Sequence, residues 1–119
     1  HDKHHLAATA VDLAESLGAE GIVVITRRGY MADFVTNCRP RGARVFAFTN
    51  DSQTRRRLTL NRNLSAFRTA FSTAPEKTLQ IAFDVLKTRV GLSDGAKVVV
   101  ISDILACSGI DSIQIRTLT

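Results

Sequence analysis

The residues best suited to chemistry form one short run, Thr26-Arg27-Arg28-Gly29-Tyr30. The run combines a hydroxyl, two guanidinium groups and a glycine that lets backbone approach a ligand. It stands between an apolar run typical of a strand and a helical pattern, so helix N–H groups would point at the same place. This arrangement predicts a phosphate-binding site; the alternative is an ordinary strand-to-helix turn with surface arginines. It matches neither the dinucleotide-binding fingerprint nor the P-loop, both of which have other glycine patterns.

A second candidate is the segment Asp103–Gly109, which follows another buried strand. Ser108 and Gly109 could bind an anion, although the Asp103 carboxylate would repel a phosphate unless an arginine neutralised it. Cys107 lacks a general base, because all three histidines are among the first five residues, which we interpret as a frayed end. No nucleophile elbow, paired carboxylates or metal-type spacing occurs in the sequence. We therefore predict that the chain has no catalytic residue and no metal site of its own.

Positive charge is concentrated in the middle of the chain. The net charge is +5, yet the stretch from Arg27 to Arg68 holds ten arginines and two aspartates, which gives +8. Such a stretch suggests phosphates, acidic partner surfaces or nucleic acid. Nucleic acid is disfavoured, because Arg55-Arg56-Arg57 and Arg62 come with no helix-turn-helix or zinc pattern, one tyrosine and no tryptophan. A solvated helix face or a protein contact is the preferred interpretation of these four arginines.

The hydrophobic pattern alternates between helices and strands. Four helices are predicted at 4–17, 31–38, 54–61 and 75–90, and strands at 21–26, 43–49, 64–71, 97–102 and 110–118. Asn50 and Thr73 are the predicted caps of the third and fourth helices. The order predicts an α/β fold, a three-layer α/β/α sandwich with a mostly parallel sheet. Ligands bind such sheets at the carboxyl ends of the strands, where the strand order reverses.

Composition indicates a single domain. The 119 residues are 45% hydrophobic, which excludes a disordered chain, and no apolar run is long enough for a membrane span. Cys38 and Cys107 are far apart and form no C-x-x-C motif, which favours a reducing, cytoplasmic location. The chain begins with His1, so we expect residues 1–119 to be one domain excised from, or homologous to part of, a longer chain.

Several motifs together resemble the C-terminal alpha/beta domain of pyruvate kinases. They are a Thr26-x-x-Gly29 turn, Arg39-Pro40, and Thr49-Asn50-Asp51-x-x-Thr54-x-Arg56-Arg57-Leu58, with further similarity at 91–102. The resemblance covers nearly the whole chain. It implies a five-stranded, largely parallel sheet whose last strand is antiparallel, and it implies a left-handed backbone at Asn63, where the family often has glycine.

The resemblance also implies a regulatory role without catalysis by this chain. The parent enzyme transfers a phosphoryl group from phosphoenolpyruvate to ADP in glycolysis, with its catalytic residues, Mg²⁺ and K⁺ in a separate barrel. The C-terminal domain would contact that barrel and neighbouring subunits, and would bind a sugar-phosphate or nucleotide effector. The implied effector residues are Thr26, Arg27, Arg28, Gly29, Tyr30, Ser108 and Gly109, although an arginine and Met31 replace hydroxyls of the family's turn. The alternative is a stand-alone phosphate- or nucleotide-binding α/β module.

Overall fold

The computed structural model of the protein describes residues 2–102 and 112–119. Its helices are α1 (Asp2–Leu17), α2 (Tyr30–Asn37), α3 (Ser52–Thr59) and α4 (Pro75–Val85), and a π-helical turn, Leu86–Val90, extends α4. The strands are β1 (Gly21–Ile25), β2 (Arg44–Thr49), β3 (Leu64–Arg68), β4 (Lys97–Ser102) and β5 (Ser112–Thr117). In the described ranges, no helix is both long and apolar enough to cross a membrane.

The five strands form one sheet in the order β3-β2-β1-β4-β5. The first four are parallel, and β5 runs antiparallel to β4. This topology confirms the predicted α/β fold and the antiparallel last strand. β1 and the buried parts of β2 and β4 are apolar on both faces, as expected for strands covered by helices on each side.

Two apolar cores lie on opposite faces of this sheet. One core joins α1, α2 and Leu58 of α3 to one face, and the other joins α4 to the opposite face through Leu79, Phe83 and Leu86. The helices α2 and α3 therefore carry the chain outward from β1 to β3, and α4 returns it across the sheet to β4. The strand order reverses between β1 and β4, where Ile25 is paired with Ser102. The carboxyl ends of these two strands consequently lie side by side.

Two predicted helix caps are wrong. Asp51, and not Asn50, caps α3: its carboxylate accepts hydrogen bonds from the Thr54 N–H at 3.0 Å and the Thr54 hydroxyl at 2.8 Å. At α4 the cap is Ala74, which makes no side-chain cap bond. The Thr78 hydroxyl binds upstream backbone instead, accepting from the Ser72 N–H at 2.8 Å. At α3 the neighbouring Asn50 and Asp51 could both cap the helix, and Asp51 does so; at α4 the helix begins at Pro75, which leaves the apolar Ala74 in the cap position.

Other differences follow from packing as well. The buried residues of α1 are Ala7, Ala10, Val11 and Ala14, whereas Leu17 at its end is 37% exposed. Small side chains let α1 approach the sheet closely, so the apolar contact centres on the alanines. Asn63 is not left-handed; the non-glycine residue with a positive φ in the described chain is Arg39, at 52°. β3 ends at Arg68, three residues before the predicted end. The predicted start of the last strand, at residue 110, lies outside the described residues.

Candidate functional site

The predicted anion-binding turn lies at the carboxyl edge of the sheet. Thr26 follows β1 directly and Tyr30 begins α2, so the turn lies beside the end of β4, where the strand order reverses. This is the position at which open α/β sheets bind ligands. The structure thus brings residues 26–30 together at one edge. Ser108 and Gly109 lie outside the described residues.

Hydrogen bonds from the chain itself fix the backbone of the turn. Thr26 is buried, its N–H donates to the Phe48 carbonyl at 2.9 Å, and its hydroxyl accepts from the Gly29 N–H at 2.9 Å. The Thr49 hydroxyl donates to the Arg27 carbonyl at 2.9 Å. Buried backbone groups need such partners, and these bonds connect the turn to the end of β2. The Thr26 hydroxyl therefore has a structural role in the turn.

Gly29 is required by both the backbone conformation and the available space. Its φ is 88°, in the left-handed region, and its carbonyl accepts the Asp33 N–H at 3.0 Å as α2 begins. A Cβ at this position would lie 2.5 Å from Arg57 Nη2 and 3.1 Å from Leu58 Cδ2. Glycine alone avoids both penalties. The Thr-x-x-Gly motif thus encodes a specific turn geometry.

Arg57 of α3 is a site residue that the sequence interpretation missed. Its Nη2 donates to the Arg28 carbonyl at 2.7 Å, and its Nη1 pairs with Asp33 Oδ2 at 3.0 Å. One guanidinium group therefore binds both the turn and the first part of α2. The pattern placed Arg57 on an outward face with its two neighbouring arginines. No local signal could separate it from them, because its partners are 24 and 29 residues away in sequence.

The side chains left available for a ligand are Arg27, Arg28 and Tyr30. All three are exposed, and Tyr30 as a residue is 59% exposed. A guanidinium group can bind a phosphate with two parallel hydrogen bonds, and an exposed aromatic ring can stack on a base. The turn therefore offers charge and an aromatic face on a rigid backbone.

Groups suited to covalent or metal chemistry are not assembled at this turn. Within residues 2–102 and 112–119, no three His, Cys, Asp or Glu side chains are grouped so that they could hold a metal ion. Burial raises the pKa of the Cys38 thiol, and the nearby Asp12 carboxylate raises it further. A raised pKa disfavours the reactive thiolate. Cys107 lies outside the described residues.

The fold and the turn define a class of protein: an open α/β sandwich with a preformed, arginine-flanked turn at the switch point of its sheet. A family model, "Pyruvate kinase, alpha/beta domain", matches residues 4–115. The chain belongs to this family, and the predicted resemblance is confirmed.

Relatives of known identity agree with the assignment. The chain is 37% identical over 97 residues to "Pyruvate kinase isozyme A, chloroplastic" of Ricinus communis, covering 82% of this chain and 16% of that protein. The Nicotiana tabacum protein of the same description is 36% identical with the same coverage. The chain thus spans about a sixth of the length of these curated relatives. Both are described as chloroplastic, so these relatives give no support to the predicted cytoplasmic location.

Solved structures support the same fold. "Cryptosporidium parvum pyruvate kinase in complex with ADP" superposes with a TM-score of 0.87 at 18% identity, covering 98% of this chain and 24% of that one. A second pyruvate kinase structure from Cryptosporidium parvum gives a TM-score of 0.86 at 18% identity, covering 100% of this chain and 23% of that chain.

Proposed function

We propose that this chain is the effector-binding regulatory domain of a pyruvate kinase and supplies no catalytic group. The observation that carries the proposal is the preformed turn 26–29, which is held by the chain's own hydrogen bonds while Arg27 and Arg28 remain exposed. A preformed site avoids the entropic cost of ordering a loop when a ligand binds. Membership in the pyruvate kinase alpha/beta domain family is consistent with such a regulatory role.

The proposed effector is a sugar phosphate or a nucleotide, bound mainly through the two arginines. The Gly29 N–H already donates to Thr26, so it contributes little to a ligand. The guanidinium groups of Arg27 and Arg28 would bind the phosphate in place of such a backbone N–H, since each can bind two phosphate oxygens. The exposure of Tyr30 at the start of α2 favours a nucleotide over a sugar phosphate as the effector, because the ring could stack on the base.

Isothermal titration calorimetry tests the effector proposal directly. We expect the double variant Arg27→Gln/Arg28→Gln to weaken binding of a sugar bisphosphate or nucleotide at least ~10-fold, the cost of losing about one charged hydrogen bond. The control is Arg55→Gln/Arg56→Gln, which removes the same charge from an exposed face of α3. The proposal fails if no such anion binds, or if both double variants weaken binding equally.

A Tyr30→Ala variant separates the two effector classes. Loss of stacking should weaken nucleotide binding by about 10-fold and leave sugar phosphate binding almost unchanged. Equal effects on both ligands would contradict a stacking role for Tyr30.

The role of the chain in the whole enzyme is proposed from the family. The parent enzyme would transfer a phosphoryl group from phosphoenolpyruvate to ADP in glycolysis, with Mg²⁺ and K⁺ bound in its barrel. The chain would contact that barrel and neighbouring subunits. β5 supports a subunit contact, because it is an edge strand and Ile115 is 52% exposed on it. We propose a reducing compartment, either the cytoplasm or a plastid.

Light scattering on the full-length protein tests the subunit role. We expect Ile115→Lys to shift the protein toward smaller assemblies, because a charge would be placed in an apolar contact. Leu60→Lys is the matched control, since Leu60 is 83% exposed at the end of α3, far from β5. An unchanged assembly in Ile115→Lys would rule out this contact.

A further inference from the structure

The end of α3 places a hydroxyl between basic and apolar side chains. Its last residues are Arg55-Arg56-Arg57-Leu58-Thr59, and Leu60 follows directly. Thr59 is exposed, and Leu60 is 83% exposed, more than any other large hydrophobic residue that the structure describes. Protein kinases select substrates largely by the charge pattern around the acceptor hydroxyl. The segment 55–60 therefore has the composition of a kinase substrate.

Another exposed threonine has the same hydrogen-bond geometry as Thr59 but different neighbours. The Thr59 hydroxyl donates to the Arg55 carbonyl, four residues earlier, at 2.8 Å. The Thr88 hydroxyl donates to the Asp84 carbonyl, also four residues earlier, at 2.7 Å. Residues 85–87, which precede Thr88, include one lysine and no arginine. Thr59 thus differs from Thr88 in the charge before it, and Thr88 serves as its matched control.

The first two arginines of the segment are available to a partner. Arg55 and Arg56 are exposed, and within residues 2–102 and 112–119 neither forms a salt bridge with an acidic side chain. Exposed guanidinium groups of this kind favour a protein whose binding cleft is acidic, because complementary charge speeds the encounter and fixes the register.

We propose that Thr59 is a phosphorylation site for a protein kinase with an acidic substrate cleft. In the reaction, Thr59 Oγ forms a bond to the terminal phosphorus of the ATP that the kinase holds, while the bond from that phosphorus to the ADP oxygen breaks. The hydroxyl proton passes to a base of the kinase, and ADP leaves. The arginines contact the acidic cleft, and Leu60 enters an apolar pocket beside it. This inference is independent of effector binding at the turn 26–30.

A kinase gains access to Thr59 when α3 opens locally, because a kinase cleft holds its substrate as an extended segment. α3 has eight residues and one buried apolar side chain, Leu58. So short a helix has little stability of its own, and its opening is governed by its tertiary contacts. One of these contacts is the pair of Arg57 with Asp33 at 3.0 Å. Opening at Thr59 therefore also releases Arg57 from the turn 26–30.

A phosphate on Thr59 weakens the last turn of α3. The modified oxygen has no proton to donate to the Arg55 carbonyl, and a charge of about −1.5 to −2 is added at the negative end of the helix dipole. Pairing of the phosphate with Arg55 and Arg56, one helical turn earlier, offsets part of this cost. The modified protein consequently holds Arg57, and with it the turn 26–30, less firmly.

Treatment of the full-length protein with the catalytic subunit of cyclic-AMP-dependent protein kinase, which selects arginine-rich substrates, and Mg-ATP tests the site. Using mass spectrometry that resolves each residue, we expect phosphate on Thr59, little on Thr88, and at least ~10-fold slower modification in Arg55→Gln/Arg56→Gln. A peptide of residues 52–63 tests recognition without the fold. An unreactive peptide, a reactive peptide with an unreactive protein, or equal modification of Thr59 and Thr88 would each overturn the proposal.

A second variant tests the dependence on Arg57. Asp33→Asn removes a restraint on Arg57 and leaves residues 55–60 unchanged, so we expect Thr59 to be modified about 2- to 5-fold faster. Asp84→Asn, on an exposed position of α4, is the control for loss of one carboxylate. Amide hydrogen exchange at residues 26–30 should be faster once Thr59 is phosphorylated. Unchanged modification in Asp33→Asn, or unchanged exchange, would overturn the connection between Thr59 and the turn.

Discussion

Replacing Gly29 with alanine tests whether the turn is built around a contact with Arg57. The substitution adds one methyl group at a φ of 88°, and its carbon would lie 2.5 Å from Arg57 Nη2. The left-handed backbone at position 29 and the close contact with the Arg57 side chain therefore each disfavour alanine. Because the guanidinium group is at the far end of a flexible side chain, we expect Arg57 to move and lose its partners.

The expected loss of stability can be worked from these two contributions. Holding alanine in the left-handed region costs about 1–2 kcal/mol. Displacing Arg57 removes the bond to the Arg28 carbonyl, about 0.5–1.5 kcal/mol, and the pair with Asp33, about 0.2–1 kcal/mol at its part-exposed position. The total is roughly 1.7–4.5 kcal/mol. For a chain of this size each kcal/mol lowers the melting temperature by about 4 °C.

Thermal and urea unfolding followed by circular dichroism measure this loss, with Gly42→Ala as the control. Gly42 has a similar φ of 78°, but a Cβ there would have nothing within 4 Å. Gly42→Ala should therefore lose only the backbone contribution of about 1–2 kcal/mol. The cost of Gly29→Ala should also fall when measured in an Arg57→Ala background. Equal losses for Gly29→Ala and Gly42→Ala would refute the steric argument.

Three further measurements address individual contacts. A double-mutant cycle of Asp33→Asn with Arg57→Gln should give a coupling of about 0.2–1 kcal/mol in urea unfolding, and a value of zero would contradict the pair. Thr26→Val removes a buried acceptor and should cost about 1–3 kcal/mol, whereas Thr26→Ser keeps the hydroxyl and should cost clearly less; equal losses would refute the hydroxyl's role. A hydrogen bond from the Arg116 guanidinium lowers the pKa of the Glu76 carboxyl below its ordinary value of 4.5. The pair therefore stabilises the fold fully above pH 4.5, and this stabilisation is lost as the pH falls through the lowered pKa. The free energy of unfolding should therefore decline less between about pH 7 and pH 3 in Glu76→Gln than in the parent chain. An equal decline in both would contradict the Glu76–Arg116 pair.

The sheet was largely predictable from sequence because its strands are short, apolar and β-branched. Lys97–Ser102 was predicted with its observed bounds, since the neighbouring helices bury both faces of the strand. The turn 26–30 was predictable for a related reason: the apolar strand is followed by a polar run with glycine and then by a helical pattern. These features depend on neighbours in sequence, which a single chain displays directly.

The predictions that were wrong concern residues whose positions depend on partners distant in sequence. Arg57 looks the same as Arg56 in sequence, and only the packing of α3 against α2 brings it to Asp33. The left-handed backbone was predicted at Asn63 and lies at Arg39, because the bend after α2 is set by the return of the chain to β2. Such choices are made by tertiary packing over local preference.

The concentration of arginines in the middle of the sequence does not form one surface in the folded chain. Arg57 holds the turn, Arg27 and Arg28 flank that turn at the carboxyl edge, and Arg39, Arg44 and Arg62 lie at the amino edge. Strands of five or six residues separate the two edges by roughly 15–20 Å, well beyond the screening length of about 8 Å at physiological salt. The two groups of arginines therefore form separate positive patches, with little direct electrostatic effect on each other.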